Sequence, residues 1–253
     1  MMQSLCPNIT MTLSEMYPSF KTQLPDLWLP ASHQLANSIS SAISLTALDK
    51  VLKGIALDKV FSAFLSEATR QRQLTFLGGR LCAEQAVSQL GWPMISVPRS
   101  LKGVPIWPMG LCGSITHTQE AAYAIAAKYS EYNGVGIDSE WVVGDEGLNG
   151  IISMCCTKQE LEAWFKPERN PLIATIIFSA KEAAYKAIYS IVMRYVDFTE
   201  FEVSEMYLDE GWLILSPTIG NRVSDIIHSI HVSFRIEGSE RVCVHTVATV
   251  IST

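Results

Sequence analysis

An α+β fold is predicted for this chain, with helices and strands mixed but not in regular βαβ alternation. Three observations carry that prediction. A long helical period precedes Gly91, a second helix-length stretch runs from Phe178 to Met193, and strand-like apolar runs recur in the second half without a helix between each pair. No internal repeat is detectable, and the best division of the 253 residues lies at Asn133-Gly134, giving halves 1–133 and 134–253.

Taken in order, residues 1–30 hold Pro7, Pro18, Pro25 and Pro30 with little periodicity, which predicts extended or loop structure. From about Leu57 to Leu90, apolar residues recur with helical spacing at Val60, Phe61, Phe64, Leu65, Leu74, Leu77 and Leu81, and Gly91 stands where a C-terminal cap belongs. Gly78-Gly79 inside that run mark a kink, a break between two helices, or a close backbone approach. The stretch Pro93–Gly113 carries Pro93, Pro98, Pro105 and Pro108 and reads as a loop-rich connection leading through a Gly113-Ser114 turn to His117. Ala121–Ala127 reads equally well as strand or helix. Val135–Val143 is a strand, and Thr157–Phe165 opens a helix, since Thr157 and Glu160 have the spacing of a capping box. Phe178–Met193 is the clearest late helix, with Ser179 as its N-cap. Strands follow at Trp212–Leu215, Ile226–Phe234 and Val242–Ile251.

Composition excludes several classes. Hydrophobic content of 48% with 17% charged residues describes a soluble globular chain, and no apolar run approaches the ~18 residues of a membrane span. The first twenty residues lack the pattern of a signal peptide, so a cytoplasmic location is expected. A net charge of −6 without a basic stripe argues against a nucleic-acid partner. The six cysteines form no C-x-x-C pair and read as buried small hydrophobes in a reducing compartment.

Three constellations carry chemistry. In GVGIDSEWV, Asp138 and Glu140 stand at i, i+2 on a strand, so they share one face about 7 Å apart, while Ser139 faces away. Paired carboxylates repel unless a cation or a proton intervenes, and hard oxygen donors without nearby His or Cys suit Mg²⁺ or Mn²⁺ better than zinc. The bland alternative is a solvated strand end. In FSAKEAAYKAI, Glu182 and Lys186 stand at i, i+4 on one helix face, flanked by alanines that permit close packing; a surface ion pair is the bland reading. In GSITH, His117 stands about twenty residues before the acids and could face a shared cleft.

The order GSITH, GVGIDSE, FSAKEAAYKA resembles the phosphopantetheinyl transferases of the Sfp type. RQLTFLGGRLCAEQAV, with Arg72 and Arg80 eight residues apart, and LKGVPIWPMGLCGSITH resemble the enterobactin-synthase branch of that family. The resemblance spans about Arg70 to Lys186. It implies transfer of the 4′-phosphopantetheine arm of coenzyme A to a serine of an apo acyl, peptidyl or aryl carrier protein, with release of adenosine 3′,5′-bisphosphate. It also implies a pseudo-twofold arrangement of two similar α+β halves with the active site in the cleft between them, for which a monomer suffices. By the same resemblance Asp138, Glu140 and Glu182 would hold Mg²⁺, with Mn²⁺ as a substitute, and Ser139 could add only its backbone carbonyl. Glu182, directly or through a metal-bound water, would take the proton from the carrier serine. Lys186 would neutralise the leaving phosphate and His117 would donate to the pyrophosphate. Thr116 stands where the wider family has serine and keeps the hydroxyl. Arg72, Arg80, Arg99 and Lys102 would bind the nucleotide end and its 3′-phosphate, for which the planar guanidinium fork is suited. Gly144–Trp164, with Ile151, Ile152, Met154 and Lys158, is expected to receive the carrier, unless its apolar residues are ordinary core. Nonribosomal peptide, siderophore and polyketide synthesis are the pathways this suggests.

Other readings are weaker. A Ser114–His117 hydrolase lacks the G-x-S-x-G elbow, and His228 and His231 fall on opposite faces of an alternating run, which argues against shared zinc ligation. A non-catalytic module that binds carrier protein or coenzyme A would be expected to lose one of Asp138, Glu140, Glu182 or Lys186, and all four are present.

Overall fold

In the computed structural model, which describes residues 27–53, 68–93, 95–220 and 222–250, the chain divides into two units, Met1–Ala127 and Lys128–Thr253. Each has its own sheet and its own apolar core. The proline-rich start and the first turns of the predicted 57–90 helix lie outside the described residues.

The first unit contains strands β1 (Trp28–Leu29) and β2 (Ser38–Ser44), helices α1 (Leu45–Val51) and α2 (Arg70–Gln89), and strands β3 (Leu111–His117) and β4 (Ala121–Lys128). The strands form one sheet in the order β1-β2-β4-β3. Ala121–Ala127, ambiguous by period, is a strand because it lies inside this sheet with every residue buried, the pattern of a strand covered on both faces. Helix α2 is capped by the Thr69 hydroxyl, which accepts from the Arg72 N–H, and its chain reverses at Gly91 with φ +88°. It runs unbroken through Gly78 and Gly79. Their role is close approach: a Cβ on Gly78 would stand 2.8 Å from Leu45 Cδ2, and one on Gly79 2.7 Å from Ile115 Cγ2. Gly113 and Ser114 do not form a turn but lie within β3.

The second unit contains β5 (Gly134–Trp141), α3 (Asp145–Cys155), α4 (Lys158–Trp164), α5 (Pro171–Val192), β6 (Phe201–Tyr207), β7 (Trp212–Pro217), β8 (Ile230–Glu237) and β9 (Cys243–Val250). Its antiparallel sheet has the order β5-β9-β8-β7-β6, with α5 packed over β5 and β9. The capping box of α4 forms as predicted, with Thr157 and Glu160 each bonding the other's backbone N–H. Ser179 is not an N-cap. Helix α5 begins at Pro171 after the Asn170 cap, because the apolar run before Phe178 has the core of this unit to bury against, and Ser179 lies in its interior. The apolar residues of α3 divide against the docking expectation: Ile152 is core at 4% exposure, Ile151 packs on that core, and only Met154 is exposed. Cys82, Cys112, Cys155, Cys156 and Cys243 are buried thiols, and Cys6 lies outside the described residues.

Two glycines of β5 set how near α5 can lie. A Cβ on Gly134 would stand 2.0 Å from the Ala187 carbonyl oxygen, and one on Gly136 1.8 Å from that of Ala183. Backbone atoms block both, so no rotamer change relieves the clash. Gly136→Ala is therefore expected to cost at least the upper part of the ~1–3 kcal/mol range for overpacked cores and to displace α5. Thermal unfolding of the variant checks this; a melt superimposable on the parent would show that α5 shifts freely.

Candidate active site

The elements that carry the predicted acids meet in the second unit. Alternation along β5 points Asp138 and Glu140 towards α5, on the same side as Gly134 and Gly136. Ser139 points the other way, where its hydroxyl bonds His245 Nδ1 at 2.9 Å, so its side chain does not join the acids. On α5, Ser179, Glu182 and Lys186 stand at i, i+3 and i+7 and form one stripe. Lys186 Nζ donates to Asp138 Oδ1 at 2.7 Å and to the Ile137 carbonyl at 3.1 Å. Ser179 Oγ donates to Asp138 Oδ2 at 2.9 Å. Each Asp138 oxygen thus has a donor from α5, and the side chain is only 5% exposed.

The electrostatics show that these groups share one field. Burial pushes the Glu140 carboxyl up to about 7; the Asp138 and Glu182 charges add to the rise and Lys186 opposes it. Burial likewise raises Glu182, with Lys186 lowering it and Asp138 raising it further. Glu182 thus lies near Asp138 and Lys186. Among the described residues, no three His, Cys, Asp or Glu side chains are already gathered as a metal cage. The donor chemistry nonetheless fits a divalent cation: three oxygen-bearing acids, two of them made basic by burial and by a neighbouring charge, are the groups a hard cation would stabilise.

In the first unit, the basic residues are unequal. Arg72 is exposed on the first turns of α2, whereas Arg80, two turns on, is 8% exposed with its guanidinium 4.9 Å from the Phe76 ring centroid. Burial lowers Arg80 to about 10; nearby Arg99 and Arg72 press it down further and Glu84 pulls it up. Its buried Nη1 has no hydrogen-bond partner among the described residues. A buried, unsatisfied cationic donor near two other arginines is fitted to receive an anion. Arg99 pairs with Pro105 across a tight turn that includes Gly103 at φ +90°, and exposed Lys102 rides on that turn. Thr116 and His117 are adjacent on β3 and project to opposite faces, Thr116 buried and His117 exposed.

Carboxylates suited to a cation in one unit and arginines suited to an anion in the other are the equipment of a phosphate-transferring enzyme. Residues 61–127 match the family model for the 4′-phosphopantetheinyl transferase N-terminal domain, and residues 134–242 match that for the 4′-phosphopantetheinyl transferase superfamily. The 4′-phosphopantetheinyl transferase Npt of Nocardia iowensis is 31% identical over 153 residues, 58% of this chain and 67% of that protein. PptT of Mycobacterium tuberculosis is 30% identical, over 58% of this chain and 65% of its own. Enterobactin synthase component D of Salmonella typhimurium is 34% identical over 49% of this chain and 51% of its own length. The chain belongs to the 4′-phosphopantetheinyl transferase superfamily.

Two residues beside the acids are not predicted as part of the site. Ser179 stands three residues before Glu182 on the same helix face, a spacing that points to it. Thr246, which bonds Ser179, carries no local signal, because only strand pairing sets it opposite Asp138.

Proposed function

We propose that this chain transfers the 4′-phosphopantetheine arm of coenzyme A to a serine hydroxyl of an apo carrier protein and releases adenosine 3′,5′-bisphosphate. The observation that carries this reading is the stripe of α5 that faces Asp138, where Lys186 bonds that carboxylate and Glu182 lies within its field. Glu182 takes the proton of the carrier serine, whose oxygen attacks the phosphorus that bears the pantetheine arm. Its raised proton affinity suits a base working near neutrality. Lys186, held by Asp138 and the Ile137 carbonyl, offsets charge on the departing phosphate. Asp138, Glu140 and Glu182 would hold Mg²⁺, which when bound neutralises the diphosphate. Arg80, with Arg72, Arg99 and Lys102, takes the 3′-phosphate end, and His117 serves the diphosphate.

The likeness to enterobactin synthase component D favours carrier proteins of siderophore or other nonribosomal peptide assembly. Intact-mass measurement of apo peptidyl, aryl and acyl carrier proteins incubated with coenzyme A and Mg²⁺ tests the reaction. A gain of one phosphopantetheine arm is expected, and no gain on any carrier overturns the reading. For the nucleotide end, Arg80→Ala is expected to weaken coenzyme A binding ~10–100-fold, the range for a lost charge-assisted hydrogen bond, with a smaller loss for dephospho-coenzyme A. Calorimetric titration with both ligands checks it, and equal losses would remove Arg80 from the 3′-phosphate.

A further inference from the structure

The interior of α5 holds a hydroxyl whose bonding is not that of an ordinary helical serine. Ser179 is 0% exposed, and a serine buried in a helix can bond the carbonyl one turn back. Ser179 Oγ instead crosses to β5 and meets Asp138 Oδ2 at 2.9 Å. Thr246, the cross-strand partner of Asp138 on β9, is also 0% exposed and reaches the same serine. Its Oγ1 lies 3.0 Å from Ser179 Oγ and donates to the Ser179 carbonyl at 3.1 Å. Since an ionised carboxylate only accepts, the Ser179 proton points at Asp138, and Thr246 gives its one hydroxyl proton to the Ser179 carbonyl, tying the serine's backbone to β9.

We infer that Ser179 and Thr246 are positioning residues for Asp138, together fixing the carboxylate in the orientation from which it engages a divalent cation. The inference rests on the metal role proposed above. Lys186 holds one oxygen of Asp138 and Ser179 the other, but the two are not equivalent. Lys186 is a long, partly exposed cation with a task of its own at the departing phosphate. Ser179 is neutral, short and fully buried, so its hold on the carboxylate does not depend on what Lys186 meets. Hydrogen-bonding partners of metal ligands act in this way, and their removal typically costs 10–100-fold in metal affinity.

The test titrates Mn²⁺ into the full chain, with and without coenzyme A, and counts free Mn²⁺ by electron paramagnetic resonance, a readout independent of turnover. Ser179→Ala is expected to weaken Mn²⁺ binding ~10–100-fold, and Ser179→Thr, which keeps the hydroxyl, to recover most of that loss. Thr246→Val, which keeps the shape, is expected to show a smaller loss in the same direction and carries the test if Ser179→Ala does not fold. Ser179→Ala or Thr246→Val variants that fold and bind Mn²⁺ like the parent, while Asp138→Asn does not, overturn the positioning role alone. A parent that binds no Mn²⁺, or binds it equally well as Asp138→Asn, overturns the metal assignment and this inference with it. A parent that binds Mn²⁺ through Asp138 with the expected Ser179 dependence, yet transfers no pantetheine arm, leaves the positioning role standing and overturns the proposed reaction.

Discussion

Asp138→Asn and Glu182→Gln each lower pantetheine transfer by at least ~10²–10³-fold, the range for removing one preorganised charge-stabilising group, while the fold survives. The two halves of this expectation come from the same electrostatics. The Asp138 charge raises the proton affinity of both Glu140 and Glu182, and Glu182 adds to the rise at Glu140, so the native state already bears this repulsion. Removing one negative charge relieves it, and Lys186 keeps Glu140 and Glu182 as neighbouring acids. In Asp138→Asn the Glu140 carboxyl, now at about 7, falls towards the ordinary carboxylate range but stays above it, because burial is the larger cause of its rise. Asparagine also keeps a group that can accept from Ser179. Catalysis has no such compensation, since an amide cannot replace a carboxylate as a ligand for a cation or, at Glu182, as a base. Transfer from labelled coenzyme A to an apo carrier protein, beside a thermal melt of each variant, measures both halves. Near-normal turnover in either variant ends the assignment.

The largest expected effect on stability lies elsewhere, at Glu160 and Lys181. Lys181 Nζ donates to Glu160 Oε2 and to the Cys155 carbonyl, both at 2.7 Å, and the two side chains are 2% and 0% exposed. Glu160 also accepts from the Thr157 and Val203 N–H groups, each at 2.8 Å. The pair thus ties four elements together: Glu160 joins the start of α4, strand β6 and helix α5, and Lys181 adds the end of α3. Glu160→Ala leaves a buried ammonium without its counter-charge and two backbone donors unsatisfied, which costs about 3–5 kcal/mol. For a chain of this size that lowers the melting temperature by roughly 6–20 °C. Lys181→Met in the Glu160→Ala background removes the stranded charge and recovers part of the loss. Recovery is incomplete because the Thr157 and Val203 amides remain unpaired. Thermal melts of the two variants decide it, and a Glu160→Ala protein melting with the parent would show that the buried pair is not under the strain of desolvation.

Glu160 also shows how far a local pattern reaches. Its spacing from Thr157 predicts the capping box that forms, but a capping box is ordinarily solvated, and nothing nearby in sequence announces that Lys181 and Val203 will enclose this one. Helix α3 was missed for a related reason. Its sequence DEGLNGIISMC carries two glycines and starts at Gly144 without a side-chain cap, so intrinsic propensity is poor. Burial of Leu148, Ile152 and Cys155 holds it. Strand β2 was missed because SISSAIS alternates towards serine, and its pairing with β4 supplies the context. The docking expectation for Ile152 failed because apolar residues on a short helix look the same whether they meet a partner or a core.

Properties with a short period were determined by the sequence alone. Alternation along β5 placed Asp138 and Glu140 on one face and Ser139 on the other, and helical spacing put Glu182 and Lys186 on one stripe, because φ and ψ repeat regularly within an element. The division of labour between acids and arginines is what the family resemblance implies, and no periodicity shows it. The tertiary structure decided what each stripe meets: α5 against the glycines of β5, Ser179 and Thr246 behind Asp138, Arg80 buried where Arg72 is not, and Lys181 on Glu160. Those contacts depend on packing between segments tens of residues apart, where backbone approach and desolvation, not local periodicity, select the arrangement.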